Sequence, residues 1–214
     1  GGHQRLGTEL LLVRDHGPDR SDEVIRKLAA AYDFVRPVWL SRNFGQHPAT
    51  LAGMASSSGD WIVTMDEDGQ HNPSDIGDFL DVALAQGSQL VYAEPVNRPP
   101  HNIMRNASSR LAKWIFSTFL TGDSSGIFQS YRMVLGEIGR SVAAYAGSGV
   151  YLDVAMEWVS GPASLCPVRL REDGDRRSGY STPALLSHFV HLVLSTGTRA
   201  LRMVAARGVL FPFG

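Results

Sequence analysis

The chain has 214 residues, 43% of them hydrophobic and 19% charged, with a formal net charge of -1. That length and balance predict one globular domain with a sizeable core, and they give no general electrostatic reason for nucleic-acid binding. The single cysteine, Cys166, excludes an internal disulfide. No apolar run reaches the length of a membrane span. The first residues also lack the basic-then-apolar pattern of a secretory leader.

Residues 9–13 (ELLLV) predict a first strand, followed by a Gly/Pro/Asp turn and a helix from about residue 21 to 32. Residues 35–40 (VRPVWL) predict a second strand. Pro37 within it points to an edge or irregular position, because proline cannot donate to a ladder. A helix follows over about 48–58, where Pro48 suits a first turn. Next come a strand at 61–65 (WIVTM), a helix opening after Asn72-Pro73 with Asp75 in its first turn, and a strand at 89–93 (QLVYA). This alternation predicts an α/β fold with a mostly parallel sheet covered by helices on both faces.

The second half has a different pattern. Over 99–120, Ile103, Leu111, Ile115 and Phe119 share one helical side, with Arg105, Arg110 and Lys113 elsewhere. Residues 122–132 predict loop and short strand, and 134–145 a helix. A polar loop at 171–182 leads into a last helical stretch, 183 to about 207. With no linker in view, one domain covers 1–181, and 182–214 forms an apolar and basic tail. In that tail Leu185, Leu186, Phe189, Val190, Leu192, Val193 and Leu194 are too dense for an ordinary surface helix. His188, His191, Arg199, Arg202 and Arg207 make it too polar for a span. It suits a membrane interface, or a helix packed into the domain's own core.

The segment 61–73, WIVTMDEDGQHNP, places Asp66, Glu67 and Asp68 directly behind an apolar strand. Side chains alternate along a strand, so extended backbone through Asp68 would put Asp66 and Asp68 on one side. A divalent cation would relieve their repulsion, and hard oxygen donors favour magnesium or manganese. Gln70 adds a carbonyl oxygen and Gly69 lets the chain turn. The bland alternative is a solvated acidic turn before the next helix. Upstream, residues 41–50 (SRNFGQHPAT) open a helix whose backbone N–H groups, with Arg42 and Asn43, can meet a phosphate or a sugar hydroxyl. As plain turn chemistry the same residues need no ligand.

Taken together, residues 40–76 resemble the heart of the family 2 glycosyltransferases, in particular the polyprenyl-phosphate sugar transferases. The family pattern is an Arg-Asn-x-Gly turn, a helix, then Asp-x-Asp-x-Gln-x-x-Pro. Arg42, Asn43, Gly45, Asp66, Asp68, Gln70 and Pro73 fill every one of those positions. Similarity continues through 124–134 (SSGIFQSYRMV), through the 169–182 loop and into 194–208, so it covers most of the chain.

The resemblance implies a GT-A, Rossmann-like fold and an inverting transfer from a nucleotide-diphosphate sugar, UDP- or GDP-linked, to a polyprenyl phosphate. Asp66, Asp68 and Gln70 would hold Mg2+ or Mn2+ on the donor diphosphate. Asp68 and Asp153 are the implied catalytic acids. Asp15, Arg42, Asn43, Gly45 and Asp66 are the implied donor contacts. Arg98, Arg105, Arg110, Arg132 and Arg177, with Arg176 a further candidate, are the implied acceptor-phosphate contacts. The setting implied is cytoplasmic, peripheral at the inner face of a membrane, with no nucleic-acid partner.

The chain departs from the family at three places. Arg14 stands where an Asp usually contacts the nucleotide base, although Asp15 and Asp19 remain. Gln129 stands where the family has Arg. Finally, the family's opening strand, central in the sheet, has no counterpart. Its absence predicts a gap beside ELLLV, as in a fragment, or a slot filled by another segment or by a second copy in a homo-oligomer. Two rival readings follow: a family 2 transferase with a soluble or protein-bound acceptor, and a degenerate, non-catalytic binding homologue.

Overall fold

The computed structural model describes residues 7–97, 129–146 and 152–171. The amphipathic stretch 99–120, the tail 182–214, and Arg98, Arg105, Arg110, Arg176 and Arg177 lie outside the described residues.

In chain order the elements are β1 (Leu10–Arg14), α1 (Ser21–Ala31), β2 (Val35–Trp39), α2 (Gln46–Ser56) and β3 (Trp61–Thr64). A single 3-10 turn, Pro73–Asp75, opens α3 (Ile76–Gln86), and β4 (Leu90–Pro95) follows. Then come β5 (Arg132–Leu135), α4 (Gly136–Tyr145), α5 (Leu152–Val159) and β6 (Ser164–Val168). Among the described residues the strands form two sheets, β1-β2 and β3-β5-β4-β6.

The larger sheet is mixed, which corrects the expectation of a mostly parallel one. β5 runs antiparallel to both β3 and β4, while β4 and β6 are parallel. The reason is where β5 begins. Ser130 reaches Asp66, just past the C-terminal end of β3, so the chain can only run back down the sheet. Val134 and Leu135 complete this strand rather than start the helix expected over 134–145. The helix begins at Gly136, whose amide donates to Asp60 O at 2.6 Å. A Cβ at Gly136 would lie 2.1 Å from the carbonyl oxygen of Gly59, so only glycine fits that approach.

Both faces of this sheet are covered, as strand alternation requires. On one face Ile62, Leu90, Tyr92 and Val134 pack with Met54 of α2, Val142 of α4 and Leu152, Ala155 and Met156 of α5. On the other, Val91, Ala93, Tyr131, Met133, Cys166 and Val168 pack with Phe79 and Ala83 of α3.

Two prolines sit inside strands without breaking a ladder. The bonds Leu10 N–H to Phe34 O and Leu40 N–H to Arg14 O show that even-numbered residues of β2 face β1. Pro37 therefore points its missing donor outward, as an edge strand permits. Pro167 does the same in β6, where Val168 faces β4 and accepts from Val96 N–H. That strand was not expected from the sequence, because its proline and short length hide it.

A seam separates the two sheets. Glu9, at the head of β1, accepts hydrogen bonds from the Ser58 and Gly59 amides at the head of β3. At the other ends, Asp15 holds Gly45 and the adjacent Gln46 holds Asp66. The two strands therefore run side by side in one direction, yet neither pairs with the other. Parallel geometry turns Leu11 and Val13 of β1 toward the seam. The bond from Gly136 N–H to Asp60 O turns Trp61 and Val63 of β3 toward it from the other side. The gap expected beside ELLLV is thus present among the described residues. Its cost shows in burial: across β1, α1 and β2, Val35 is the one buried residue.

The pairing pattern predicts alternating amide exchange. Leu11, Val13, Trp61 and Val63 amides should exchange at least about a hundredfold faster than those of Leu12, Ile62 and Val91, because only the latter are laddered. Hydrogen exchange read by NMR checks this. Strong protection at Leu11 and Val13 would mean that another strand covers the edge of β1.

Candidate active site

The C-terminal ends of β1 and β3, with the start of α2, converge on the acidic turn. The extended backbone stops at Thr64, and 67–68 form a turn. The expected shared strand face for Asp66 and Asp68 is therefore replaced by a turn. Gly69 has φ 80, a left-handed conformation that a side chain disfavours. Asp68 Oδ1 accepts the Gln70 N–H at 3.0 Å, closing the turn.

Asp66 is fixed at three points. Its Oδ1 accepts from Gln46 Nε2 at 2.8 Å and its Oδ2 from Ser130 Oγ at 2.5 Å. Its own N–H donates to His71 Nδ1 at 3.0 Å. His71 in turn stacks on Tyr131, ring centroids 4.7 Å apart. From the other side, Arg171 donates its N–H to Gln70 O at 2.9 Å and its Nη2 to Asn72 Oδ1 at 2.9 Å. Tyr131 donates to Asn72 O at 2.7 Å. The loop is held on every flank, while Glu67 stays exposed.

The donor-side residues expected from the sequence divide into two groups. Asp15 accepts the Phe44 and Gly45 amides, both at 2.7 Å, so its carboxylate braces the Arg-Asn-x-Gly turn. Gly45 has φ 93 there. Arg42 and Asn43 are exposed at the same rim, Arg42 over the Phe44 ring at 4.7 Å. Arg14 folds back instead. It bonds Asp22 at 2.6 Å and Gly17 O at 2.7 Å, and pairs with Asp19 at 2.7 Å. Asp19, its carboxyl held low by Ser21 first and Arg14 after, is a structural partner in this arrangement.

Arg132 and Asp153 differ most from expectation. Arg132 is 3% exposed and Asp153 4%, and they form an ion pair with each other inside the sheet–helix interface. Tyr92 donates to the same Asp153 oxygen at 2.9 Å, and Arg132 Nε donates to Thr64 Oγ1 at 3.1 Å. Burial, and then the Asp153 charge, push the Tyr92 hydroxyl's pKa well up, so it stays a donor. Among the described residues the two charged groups are thus spent on each other, on Tyr92 and on Thr64. Removing one partner would strand a buried charge, at about 3–5 kcal/mol.

Gln46, Ser130, His71 and Arg171 are the residues that sequence reasoning passed over. Gln46 lies inside the quoted FGQHPAT turn, but only the strand order shows that it meets Asp66.

Whether a metal fits can be judged from the donor set. Among the described residues no cluster of three His, Cys, Asp or Glu side chains could hold a metal unaided. Magnesium and manganese need less, because they keep several waters and bind through one or two carboxylates plus substrate phosphates. Asp68 Oδ2 accepts no hydrogen bond among the described residues, and each Asp66 oxygen accepts one, leaving lone pairs on both carboxylates. The residues fit a cation shared with a diphosphate.

One pH prediction follows from His71. Burial lowers its pKa, outweighing the opposing charges of Asp66 and Asp68. The unfolded chain takes up this proton near the usual value of about 6.5, and the folded chain only at lower pH. The stability this provides is complete above that value and is lost as pH falls through the folded pKa. Melting temperatures across that range should fall for the wild type and fall less for His71→Gln; equal slopes would contradict it.

Residues 3–136 match the family described as glycosyl transferase family 2. The undecaprenyl-phosphate 4-deoxy-4-formamido-L-arabinose transferase of Salmonella paratyphi B is 29% identical over 211 residues, covering 96% of this chain and 63% of that protein. The chain therefore spans less than two thirds of the curated relatives it matches. Glucosyl-3-phosphoglycerate synthase from Mycobacterium tuberculosis, solved with Mn2+, UDP-glucose and phosphoglyceric acid, is similar in fold. It has TM-score 0.59 at 16% identity, over 90% of this chain and 68% of that one. S. aureus TarS 1-349 with UDP-GlcNAc gives TM-score 0.58 at 12% identity, over 89% and 57%. These neighbours share the α/β GT-A fold. With the profile covering more than half its length and the Asp66–Gln70 turn in place, the chain belongs to glycosyl transferase family 2.

Proposed function

We propose that this chain carries the donor side of a metal-dependent, inverting glycosyltransferase that moves a sugar from a nucleotide diphosphate to a polyprenyl phosphate. The observation that carries this is the Asp66–Asp68 turn, braced from α2, from Ser130 just before β5 and from Arg171 after β6, with one Asp68 carboxylate oxygen that accepts no hydrogen bond among the described residues.

In this reading Asp66, Asp68 and Gln70 hold Mg2+ or Mn2+, with Arg42 and Asn43 at the rim toward the donor. When bound, the cation supplies charge stabilisation for the departing diphosphate. An acceptor phosphate oxygen bonds to the anomeric carbon from the face opposite the breaking bond to the diphosphate. The acceptor is already anionic at neutral pH, so the transfer needs no strong base. That agrees with Asp153 being buried against Arg132.

The lipid acceptor is supported by the name of the aminoarabinose transferase relative. The cation and UDP-sugar are supported by what the two structural neighbours were solved with. No helix among the described residues is long and apolar enough to cross a membrane. Attachment at the inner membrane face through the 182–214 tail is supported by that segment's apolar and basic sequence. One feature favours a non-catalytic reading: Arg14, in place of the usual acid, is tied to Asp19 and Asp22 and leaves base recognition to other groups.

The test is transfer of labelled sugar from UDP- or GDP-sugars to undecaprenyl phosphate in detergent with Mn2+, read as solvent-extractable label. Asp68→Asn should lower the rate by about a hundredfold or more, on the scale of losing one electrostatic stabiliser of the leaving group. Transfer only to water-soluble phosphates would replace the lipid acceptor. Nucleotide binding with no transfer to any acceptor would establish the non-catalytic reading.

A further inference from the structure

We propose that Arg132 and Asp153 are positioning residues: they set the Asp66 carboxylate through Thr64 and Ser130. The functional consequence rests on the donor-side role of Asp66 proposed above; the geometry does not.

The pairing register makes the connection. Across β3 and β5, Ile62 lies opposite Val134 and Thr64 opposite Arg132. Continued by two residues, the same register brings Asp66 opposite Ser130, where the hydroxyl–carboxylate bond is found. One cross-strand ladder thus runs from an apolar pair in the core, through a polar pair, to the charged site. Arg132 is the middle rung, with Tyr92 of β4 on its other side and Asp153 of α5 against it.

Each bond along this line constrains the next. Asp153 fixes the Arg132 guanidinium, whose Nε donates to Thr64 Oγ1 at 3.1 Å. That bond leaves the Thr64 hydroxyl hydrogen to donate to Ser130 O at 2.6 Å. Ser130 is thereby held where its own hydroxyl meets Asp66 Oδ2 at 2.5 Å. A buried ion pair seldom stabilises a fold more than apolar residues of similar size would. Here it orients polar groups that lead out to the site, which apolar residues could not do.

The test has a ligand-free arm and a ligand-bound arm. The double variant Arg132→Met/Asp153→Leu removes both charges together, so no buried charge is stranded and folding can be confirmed by its melting curve. Without ligand, the Ser130 and Asp66 amide signals should move in this variant. Unmoved signals would mean that the pair is core only. With ligand, Ser130→Ala and the double variant should each weaken Mn2+-dependent UDP binding about tenfold, the loss of one hydrogen bond to a charged acceptor. The triple variant should be no weaker than either, because all act through one line. Independent, multiplying losses would overturn the proposal. So would Asp153→Asn keeping full Mn2+-UDP affinity while its rate falls and the acid limb of the pH–rate profile shifts, the signature of a catalytic base. If the wild type binds no Mn2+-UDP, the donor-site reading fails, and the ligand-free arm still decides the positioning claim.

Discussion

The Asp66 carboxylate is the point at which the two halves of this fold meet. One oxygen takes the Gln46 amide, from the helix that follows the β1-β2 sheet, and the other takes the Ser130 hydroxyl, from the bend that leads into β5 of the four-stranded sheet. No ladder bonds connect those sheets among the described residues. Glu9 ties them at one end of the seam, and Asp15, Gly45, Gln46 and Asp66 tie them at the other. Charge-assisted hydrogen bonds of this kind are roughly twice as strong as neutral ones. The site is thus also a structural clamp, and the side chains that would hold the donor's cation orient the fold around it.

The clamp joins two parts that differ in how much they bury. The four-stranded sheet has apolar residues on both faces and buries them under helices. The β1-α1-β2 unit buries only Val35, although ELLLV is as apolar as any segment of the core. Apolar side chains left partly in water forgo much of the roughly 25 cal/mol per Å² that burial provides. The seam is where that stabilisation is missing.

Much of this was legible in the sequence, because periodicity and turn chemistry are local. The bounds of α1, the edge position of Pro37 and the turn at Gly69 follow from residue patterns, while the gap beside β1 was implied by the family resemblance. The direction of β5 did not, since it depends on Ser130 meeting Asp66 across 64 residues of chain. β6 was hidden by Pro167, which the edge geometry accommodates. Arg132 and Asp153 read as surface chemistry because charged residues are rarely buried unless paired. A pair separated by 21 residues leaves no sequence signal that it will form. Asp15, expected as a donor contact, has its carboxylate occupied by the Phe44 and Gly45 amides, which only the folded chain brings to it.

The central claim is that the Asp66–Gln70 turn holds a divalent cation together with a nucleotide diphosphate, rather than alone. Paramagnetic broadening by Mn2+ in two-dimensional NMR spectra, recorded with and without UDP, tests it most directly. The account predicts weak broadening by Mn2+ alone. With UDP present, strong broadening should centre on Asp66, Asp68 and Gln70, extend to Phe44–Gln46, and spare α3 and β6. Broadening centred elsewhere, or no difference on adding UDP, would contradict it.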